Sequence, residues 1–147
     1  MGVLPVSPYI LIGGQAVNYW AERYLTPEPE LEGLKPFTSA DIDFKGTQAD
    51  VERIARQLSL NASYPPKVAM TALSGVIPFR IGDLDSAIEV IRRIPGSSQS
   101  RETPAIESFW EGNMIRVLDP VSLLSCKLEL AATVTQDQHF LRRQRGT

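Results

Sequence analysis

Residues that bind soft metals or cross-link a chain are almost missing from this 147-residue sequence, which has one cysteine and one histidine. Cys126 has no partner for an internal disulfide, and one Cys with one His cannot supply the ligands of a structural zinc site. A long apolar run is missing too, because the longest uncharged stretch, residues 1–21, is broken by prolines, glycines and Asn18. That stretch is too polar for a membrane span and lacks the basic start of a secretory signal. We therefore expect a cytoplasmic protein without a membrane partner.

An excess of charge of one sign is also missing. Fifteen Lys and Arg against seventeen Asp and Glu leave a net charge of −2, which argues against an obligate duplex-binding protein. The local cluster of Arg142, Arg143 and Arg145 could meet a phosphate backbone, although such a basic end is more often a solvated surface. With 43% hydrophobic and 22% charged residues, the composition is that of one globular domain over residues 1–147, or of the N-terminal part of a longer protein.

Apolar periodicity predicts a mixed α/β domain, of the α+β kind, whose sheet is mostly antiparallel in the second half of the chain. The order is strand, helix, strand, helix, several strands and a final helix. The predicted elements of the first half are a strand at 9–12, a helix at 15–25, a loop at 26–36, a strand at 41–44 and a helix from the N-cap Thr47 to near Asn61. Those of the second half are strands at 68–73 and 76–81 around a Ser74-Gly75 turn, a strand at 87–91, a polar loop at 97–103, and a hairpin of 105–110 and 114–118. A final helix is predicted with Asp119 as N-cap and Pro120 at its first position.

Two carboxylates, Asp41 and Asp43, alternate with apolar residues on the second predicted strand, so both side chains project from the same face. The two-residue rise separates them by about 6–7 Å, and they repel each other unless a cation lies between them. Oxygen ligands of this kind suit a hard divalent ion such as Mg²⁺, which usually also holds substrate phosphates. The alternative is an exposed strand face with two solvated acids, and Asp-X-Asp alone favours that alternative.

A second motif, Gly13-Gly14, lies between the first predicted strand and the first predicted helix. Bare backbone N–H groups at such a junction, together with the helix dipole, form a phosphate site. The alternative is a tight turn that only requires a positive φ. The third glycine of the dinucleotide-binding motif is missing and no Walker Gly-Lys-Ser/Thr occurs. What is left is a phosphate-binding turn that precedes a metal-binding strand.

Three segments together resemble the nucleotidyltransferase fold of polymerase-β-like enzymes. Within that fold they are most similar to the AbiEii-type nucleotidyltransferase toxins of abortive-infection, type IV toxin–antitoxin systems. The segments are Ile12-Gly13-Gly14-Gln15-Ala16, Thr38-Ser39-Ala40-Asp41-Ile42-Asp43-Phe44 and Asp119-Pro120-Val121-Ser122-Leu123-Leu124-Ser125-Cys126-Lys127-Leu128. The last is similar to the P-x-x-L-L-x-x-K-L helix start of the group. The likeness covers most of the chain and implies a nucleotidyltransferase-like mixed β-sheet flanked by helices.

The resemblance implies a third carboxylate on a neighbouring strand. Glu89 is the candidate, with Glu where the family usually has Asp. From the residues alone, an acid inside an apolar strand needs a metal or an arginine as partner, because burying an unpaired charge is costly. Lys127 lies on the apolar stripe of the last helix. It either snorkels past the edge of the core or, as the resemblance implies, contacts the triphosphate or the acids.

The resemblance further implies a nucleotidyltransferase that moves a nucleotidyl group from an NTP to a hydroxyl of a tRNA, another RNA or a protein, and that an antitoxin protein restrains. Mg²⁺ or Mn²⁺ ions would activate the acceptor hydroxyl and neutralise the leaving pyrophosphate. The implied site consists of the catalytic and metal-binding acids Asp41, Asp43 and Glu89 and of the nucleotide-binding residues Gly13, Gly14 and Lys127. The alternatives are a non-catalytic nucleotide-binding or protein-interaction module of the same fold, and a plain interaction domain without a nucleotide site.

Overall fold

The computed structural model describes residues 9–36, 39–94, 104–110 and 112–145, with side chains of the final helix described as far as residue 133. These residues form a mixed sheet with packed helices, which confirms the predicted α+β class. The strands are β1 (Ile10–Ile12), β2 (Ile42–Lys45), β3 (Leu73–Ile81), β4 (Leu84–Ile91), β5 (Ala105–Trp110) and β6 (Asn113–Leu118). The helices are α1 (Gly13–Tyr24), α2 (Gln48–Leu58) and α3 (Pro120–Arg145), with a 3₁₀ helix over Pro29–Leu34.

The six strands are ordered β3-β4-β2-β1-β6-β5. Strands β3 and β4 form an antiparallel hairpin, as do β5 and β6, which confirms the prediction for the second half of the chain. Two parallel pairs, β2 with β4 and β1 with β6, join these hairpins to the first half. Strand β2 therefore lies in the middle of the sheet, between β1 and β4, and residues from distant parts of the sequence meet there.

Two clusters of buried apolar side chains hold the helices on the sheet. One joins α2 to β3 and β4, and the other joins α1 and α3 to β1 and β6. Ile42 and Phe44 of β2 contact both clusters. The members of the first are Val51, Ile54, Ala55, Ile77, Ile88 and Val90, and those of the second are Ile10, Leu11, Ile12, Ala16, Tyr19, Ile94, Val117, Leu118, Leu123 and Cys126.

The segment 68–81 differs from the prediction of two strands around Ser74-Gly75. It contains one nine-residue strand, β3, with a bulge between Leu73 and Gly75. The hairpin turn lies further on, at Gly82-Asp83, and Gly82 has a φ of 58°. Gly75 is needed for packing instead, because a Cβ on it would lie 2.9 Å from Cγ1 of Val51 on α2.

Other differences concern the ends of elements. The expected loop at 26–36 contains the 3₁₀ helix Pro29–Leu34, and α1 begins at Gly13 rather than at Gln15. Helix α2 ends at Leu58, before the predicted end near Asn61, because Ser59 adopts a left-handed conformation with φ 54°. The predicted polar loop at 97–103 lies outside the described residues.

Helix α3 begins as predicted, with Asp119 as N-cap and Pro120 at the first helical position. The Asp119 Oδ1 atom accepts hydrogen bonds of 3.1 Å from the N–H groups of Val121 and Ser122. The first two turns are anchored in the core through Leu123 and Cys126, whereas the side chains from 127 to 133 are exposed. The side chains of the arginine cluster at 142–145 lie outside the described residues.

No helix in the part of the chain that the structure describes is both long enough and apolar enough to cross a membrane.

Candidate active site

Asp43 lies at the centre of the candidate site, on β2. It pairs in register with Ile12 of β1 on one side and with Glu89 of β4 on the other. Residues in register on neighbouring strands point to the same face, so Asp43 and Glu89 project together. The alternating residues of β4, among them Ile88, pack with α2 on the opposite face. The parallel pairing of β2 with β4 thus places the third predicted acid beside the second.

Asp41 is exposed and directly precedes β2, which begins one residue later than predicted. Burial, and after it the charge of Asp41, raises the pKa of Asp43 above its ordinary value. Burial, followed by the charges of Asp43 and Asp41, likewise raises the pKa of Glu89. The charges of Asp41 and Asp43 thus both act on Glu89, and that of Asp41 acts on Asp43.

Both glycines of the Gly13-Gly14 motif lie in the first turn of α1 rather than in a separate turn before it. Gly13 has a φ of 65°, and a Cβ on it would collide with the Oδ2 atom of Asp43. A Cβ on Gly14 would collide with the Oγ atom of Ser39. The start of α1 therefore lies directly against the segment that carries the acids.

The residues at the start of α1 do not cap its N-terminus. Its N-cap residue, Ile12, makes no side-chain cap hydrogen bond, and the first turn contains no acidic residue. The first N–H groups of a helix have no partners within the helix and attract anions. A phosphate group is the kind of ligand that such a terminus binds.

Lys127 of α3 supplies positive charge to the same region. Its charge lowers the pKa of Asp43 and so opposes part of the effect of burial and of Asp41. The side chain is exposed and forms no direct ion pair with a described carboxylate. It therefore lies near enough to Asp43 to act on it while its ammonium group remains available to solvent.

The structure thus brings Asp43, Glu89 and the Gly13-Gly14 motif together at one end of β2, next to Asp41, whereas Lys127 is linked to them only through its charge. Sequence reasoning missed three residues that hold the segment before Asp41, namely Gln15, Ser39 and Ser86. Gln15 and Ser39 stand inside the motifs that the sequence singled out, but nothing local shows that they are joined across 24 positions.

The chain itself has no recognisable relatives in three comparisons. No protein-family model matches it, and neither does any curated protein or solved structure. Its function must therefore be inferred from the site.

The carboxylates are oxygen ligands of the kind that a divalent cation such as Mg²⁺ prefers. In the part of the chain that the structure describes, no group of three or more His, Cys, Asp or Glu side chains is arranged to hold a metal ion. Mg²⁺ does not require such a cage, because it usually binds through one or two carboxylates and completes its coordination with waters and substrate phosphates. The Asp43 carboxylate lies beside the uncapped N-terminus of α1, so a group that binds carboxylates through a cation and a group that binds helix N–H donors would meet there.

Proposed function

We propose that the protein transfers a nucleotidyl group from an NTP to an acceptor hydroxyl, in a reaction that depends on Mg²⁺ or Mn²⁺. One observation carries the proposal: Asp43 lies against Gly13 on one side and in register with Glu89 on the other. Three segments that are far apart in the sequence meet at this carboxylate. The alternative, an exposed strand face with two solvated acids, does not account for the contact with Gly13 or for the neighbouring Glu89.

The residues divide into two sets of roles. Asp41 and Asp43 would hold the cation with Glu89 facing them, and the N–H groups at Gly13 and Gly14 would receive the phosphates. The cation supplies charge that lowers the pKa of the acceptor hydroxyl and neutralises the departing pyrophosphate. Lys127, on α3, would supply positive charge on the nucleotide side.

The raised pKa values of Asp43 and Glu89 support a cation site on energetic grounds. Burial and neighbouring carboxylates disfavour the charged forms of both groups, with Lys127 offsetting part of the effect at Asp43, so the cluster costs stability at neutral pH unless further positive charge neutralises it. A divalent cation removes that repulsion, and binding is thereby coupled to the stability of the fold.

Within this proposal, the acceptor is a hydroxyl of a tRNA, another RNA or a protein, and an antitoxin protein restrains the activity. Both statements follow from the resemblance to AbiEii-type toxins. The composition, with its single cysteine, supports a cytoplasmic location for this activity, where NTPs and these acceptors occur.

The experiment that tests the proposal is thermal unfolding with each of the four NTPs, with and without Mg²⁺. A ligand at a hundred times its Kd stabilises a protein by about 2.7 kcal/mol, which corresponds to a rise in Tm of about 5–10 °C for a domain of this size. We expect this rise for the wild type with Mg²⁺ and one NTP, and its loss in Asp41→Ala/Asp43→Ala.

The chain contains its own matched control. Asp83 and Asp85 have the same spacing, and both are exposed in the β3–β4 hairpin. Asp83→Ala/Asp85→Ala should keep the nucleotide-dependent rise in Tm. If no NTP shifts the Tm of the wild type, or if both double variants lose the shift equally, the proposal is wrong.

A non-catalytic nucleotide-binding module of the same fold is the second candidate. It is favoured by the lack of a three-ligand metal group among the described residues. Such a module would bind an NTP with Mg²⁺ but would release no pyrophosphate in the presence of RNA or protein acceptors. A pyrophosphate-release assay with total cellular RNA as acceptor mixture therefore separates the two candidates.

A further inference from the structure

Asp41 lies outside the hydrogen-bond ladder that fixes Asp43. The pairing of β2 with β4 begins at Ile42 opposite Ile88, and the pairing of β1 with β2 reaches only Asp43. Asp43 is therefore held by sheet pairing on both sides, whereas the position of Asp41 must come from other contacts.

Those contacts are hydrogen bonds from side chains to three consecutive carbonyl groups. Gln15 Nε2 donates to the carbonyl of Ser39 at 3.2 Å, and Ser39 Oγ donates to the carbonyl of Asp41 at 3.1 Å. Ser86 Oγ donates to the carbonyl of Ala40. The segment 39–41 is thus tied to α1 at one point and to β4 at another.

The amide group of Gln15 is itself oriented. Asn18, one turn further along α1, donates from Nδ2 to Gln15 Oε1 at 3.4 Å, which leaves the Gln15 Nε2 group to point at Ser39. The backbone beside it is closely packed, because Ser39 Oγ occupies the space that a Cβ on Gly14 would need. An apolar side chain at position 15 would fill the same space but would donate nothing.

We propose that Gln15 is a positioning residue that holds the segment 39–41 so that Asp41 is aligned with Asp43 for cation binding. The inference rests on the proposed function, since it concerns the same site. When the Gln15 donor is lost, Asp43 is still held by sheet pairing, whereas the segment 39–41 loses its hydrogen bond to α1. A single hydrogen bond of this kind changes an equilibrium by roughly three- to tenfold, which sets the expected loss of affinity.

The test compares Gln15→Met, a side chain of similar length without a donor, with the wild type. The probe is the complex of Mn²⁺ with inorganic tripolyphosphate, which contains the part that all four NTPs share, and its Kd is measured by isothermal titration calorimetry. The control is Gln48→Met, at an exposed position of α2 where the amide donates to Glu52 Oε1 at 3.5 Å. We expect the Kd to rise roughly three- to tenfold in Gln15→Met and to stay unchanged in Gln48→Met.

Hydrogen exchange in the absence of any ligand gives a second measurement. Amide exchange in the segment 39–43 should be faster in Gln15→Met than in the wild type, while Tm and exchange in α2 stay the same. A role confined to the general stability of the fold would lower Tm and speed exchange everywhere without a selective effect on binding.

An unchanged Kd in Gln15→Met, or an unchanged exchange rate in 39–43, would overturn the proposal. If the wild type itself does not bind the Mn²⁺–tripolyphosphate complex, the proposed function fails instead, and the wild-type titration identifies that case. If circular dichroism shows that Gln15→Met is unfolded, Asn18→Ala replaces it, because this change removes the bond that orients the Gln15 amide and keeps the Gln15 donor. It should raise the Kd in the same direction by a smaller factor, and no rise would again overturn the proposal.

Discussion

Gly13 and Asp43 lie in contact where β1 passes into α1, so that a side chain on Gly13 would occupy the position of the Asp43 Oδ2 atom. Gly13 also has a φ of 65°, a conformation that residues with a Cβ rarely adopt. Backbone conformation and contact therefore both require glycine here. The antiparallel pairing of β1 with β2, which sets Ile12 opposite Asp43, is what joins the two sequence motifs.

This relationship predicts a large effect of Gly13→Ala. The left-handed conformation alone should cost about 1–2 kcal/mol of unfolding free energy, and the collision with Asp43 should add about 1–3 kcal/mol. The variant should also lose the Mg²⁺-dependent rise in Tm with NTP, because either Asp43 or the first turn of α1 must move. Urea unfolding gives the first quantity and thermal shift gives the second.

Gly82→Ala is the matched control, because Gly82 shares the left-handed conformation of Gly13 but makes no comparable contact. Gly82 has a φ of 58°, and no described atom lies within 4 Å of a Cβ built on it. It should lose only about 1–2 kcal/mol and keep nucleotide binding. Equal losses in the two glycine variants would show that the contact with Asp43 contributes nothing to the cost.

The coupled carboxylates predict an unusual dependence of stability on pH. Burial and like charges raise the pKa of Asp43 and of Glu89 in the folded protein. Between the ordinary and the raised pKa, the native state binds more protons than the unfolded state, so the contribution of the cluster to stability falls as pH rises through that interval. Above the raised pKa the cost is fully present.

Glu89→Gln should therefore raise Tm at neutral pH by roughly 1–4 °C when no divalent cation is present. The gain should shrink as the pH is lowered towards the ordinary pKa of a glutamate, because the wild-type side chain is then also neutral. Glu22→Gln, at an exposed position of α1, serves as control and should change Tm little. Thermal unfolding from about pH 4 to pH 8 measures both, and a lower Tm for Glu89→Gln at neutral pH would contradict the prediction.

Element starts could be predicted from the sequence wherever a cap determines them. Thr47 and Asp119 were assigned correctly because a cap depends only on residues within one turn. The Ser74-Gly75 turn was assigned wrongly for the opposite reason. Gly75 is small so that Val51 of α2 can pack against it, and no local pattern reveals a contact with a helix more than a dozen residues away.

The same distinction holds for the candidate site. Gly13-Gly14 and Asp41-X-Asp43 could be recognised as separate motifs because each is contiguous. That Glu89 lies beside Asp43 depends on the parallel register of β2 with β4, which the sequence pattern does not specify. The hydrogen bond from Gln15 to Ser39 is equally non-local, so its role emerges only once α1 and the segment before β2 are placed together.

The capping box of α2 predicts a stability effect that is independent of the site. The Thr47 hydroxyl accepts from the Asp50 N–H group, while Asp50 Oδ2 accepts from the Thr47 N–H group at 2.7 Å. Thr47→Ala should lower the unfolding free energy by about 1 kcal/mol and leave nucleotide binding unchanged. Thr133→Ala, on the exposed side of α3, is the control and should cost less in the same urea titration. A loss of nucleotide binding in Thr47→Ala would show that α2 contributes to the site.

Replacing Lys127 tests whether this lysine of α3 binds the triphosphate. If its ammonium group contacts the triphosphate, Lys127→Met should raise the Kd of the Mn²⁺–tripolyphosphate complex by about tenfold, because hydrogen bonds to charged groups are worth about 1.5–3 kcal/mol. The rise should shrink in high salt, since the side chain is exposed and its charge is screened.

Lys67→Met, at an exposed lysine before β3, controls for the loss of one positive charge anywhere on the surface. Because Lys127 lowers the pKa of Asp43, it also competes with the cation for that carboxylate. An unchanged or lower Kd in Lys127→Met would therefore show that the lysine neutralises the acids and does not bind the nucleotide.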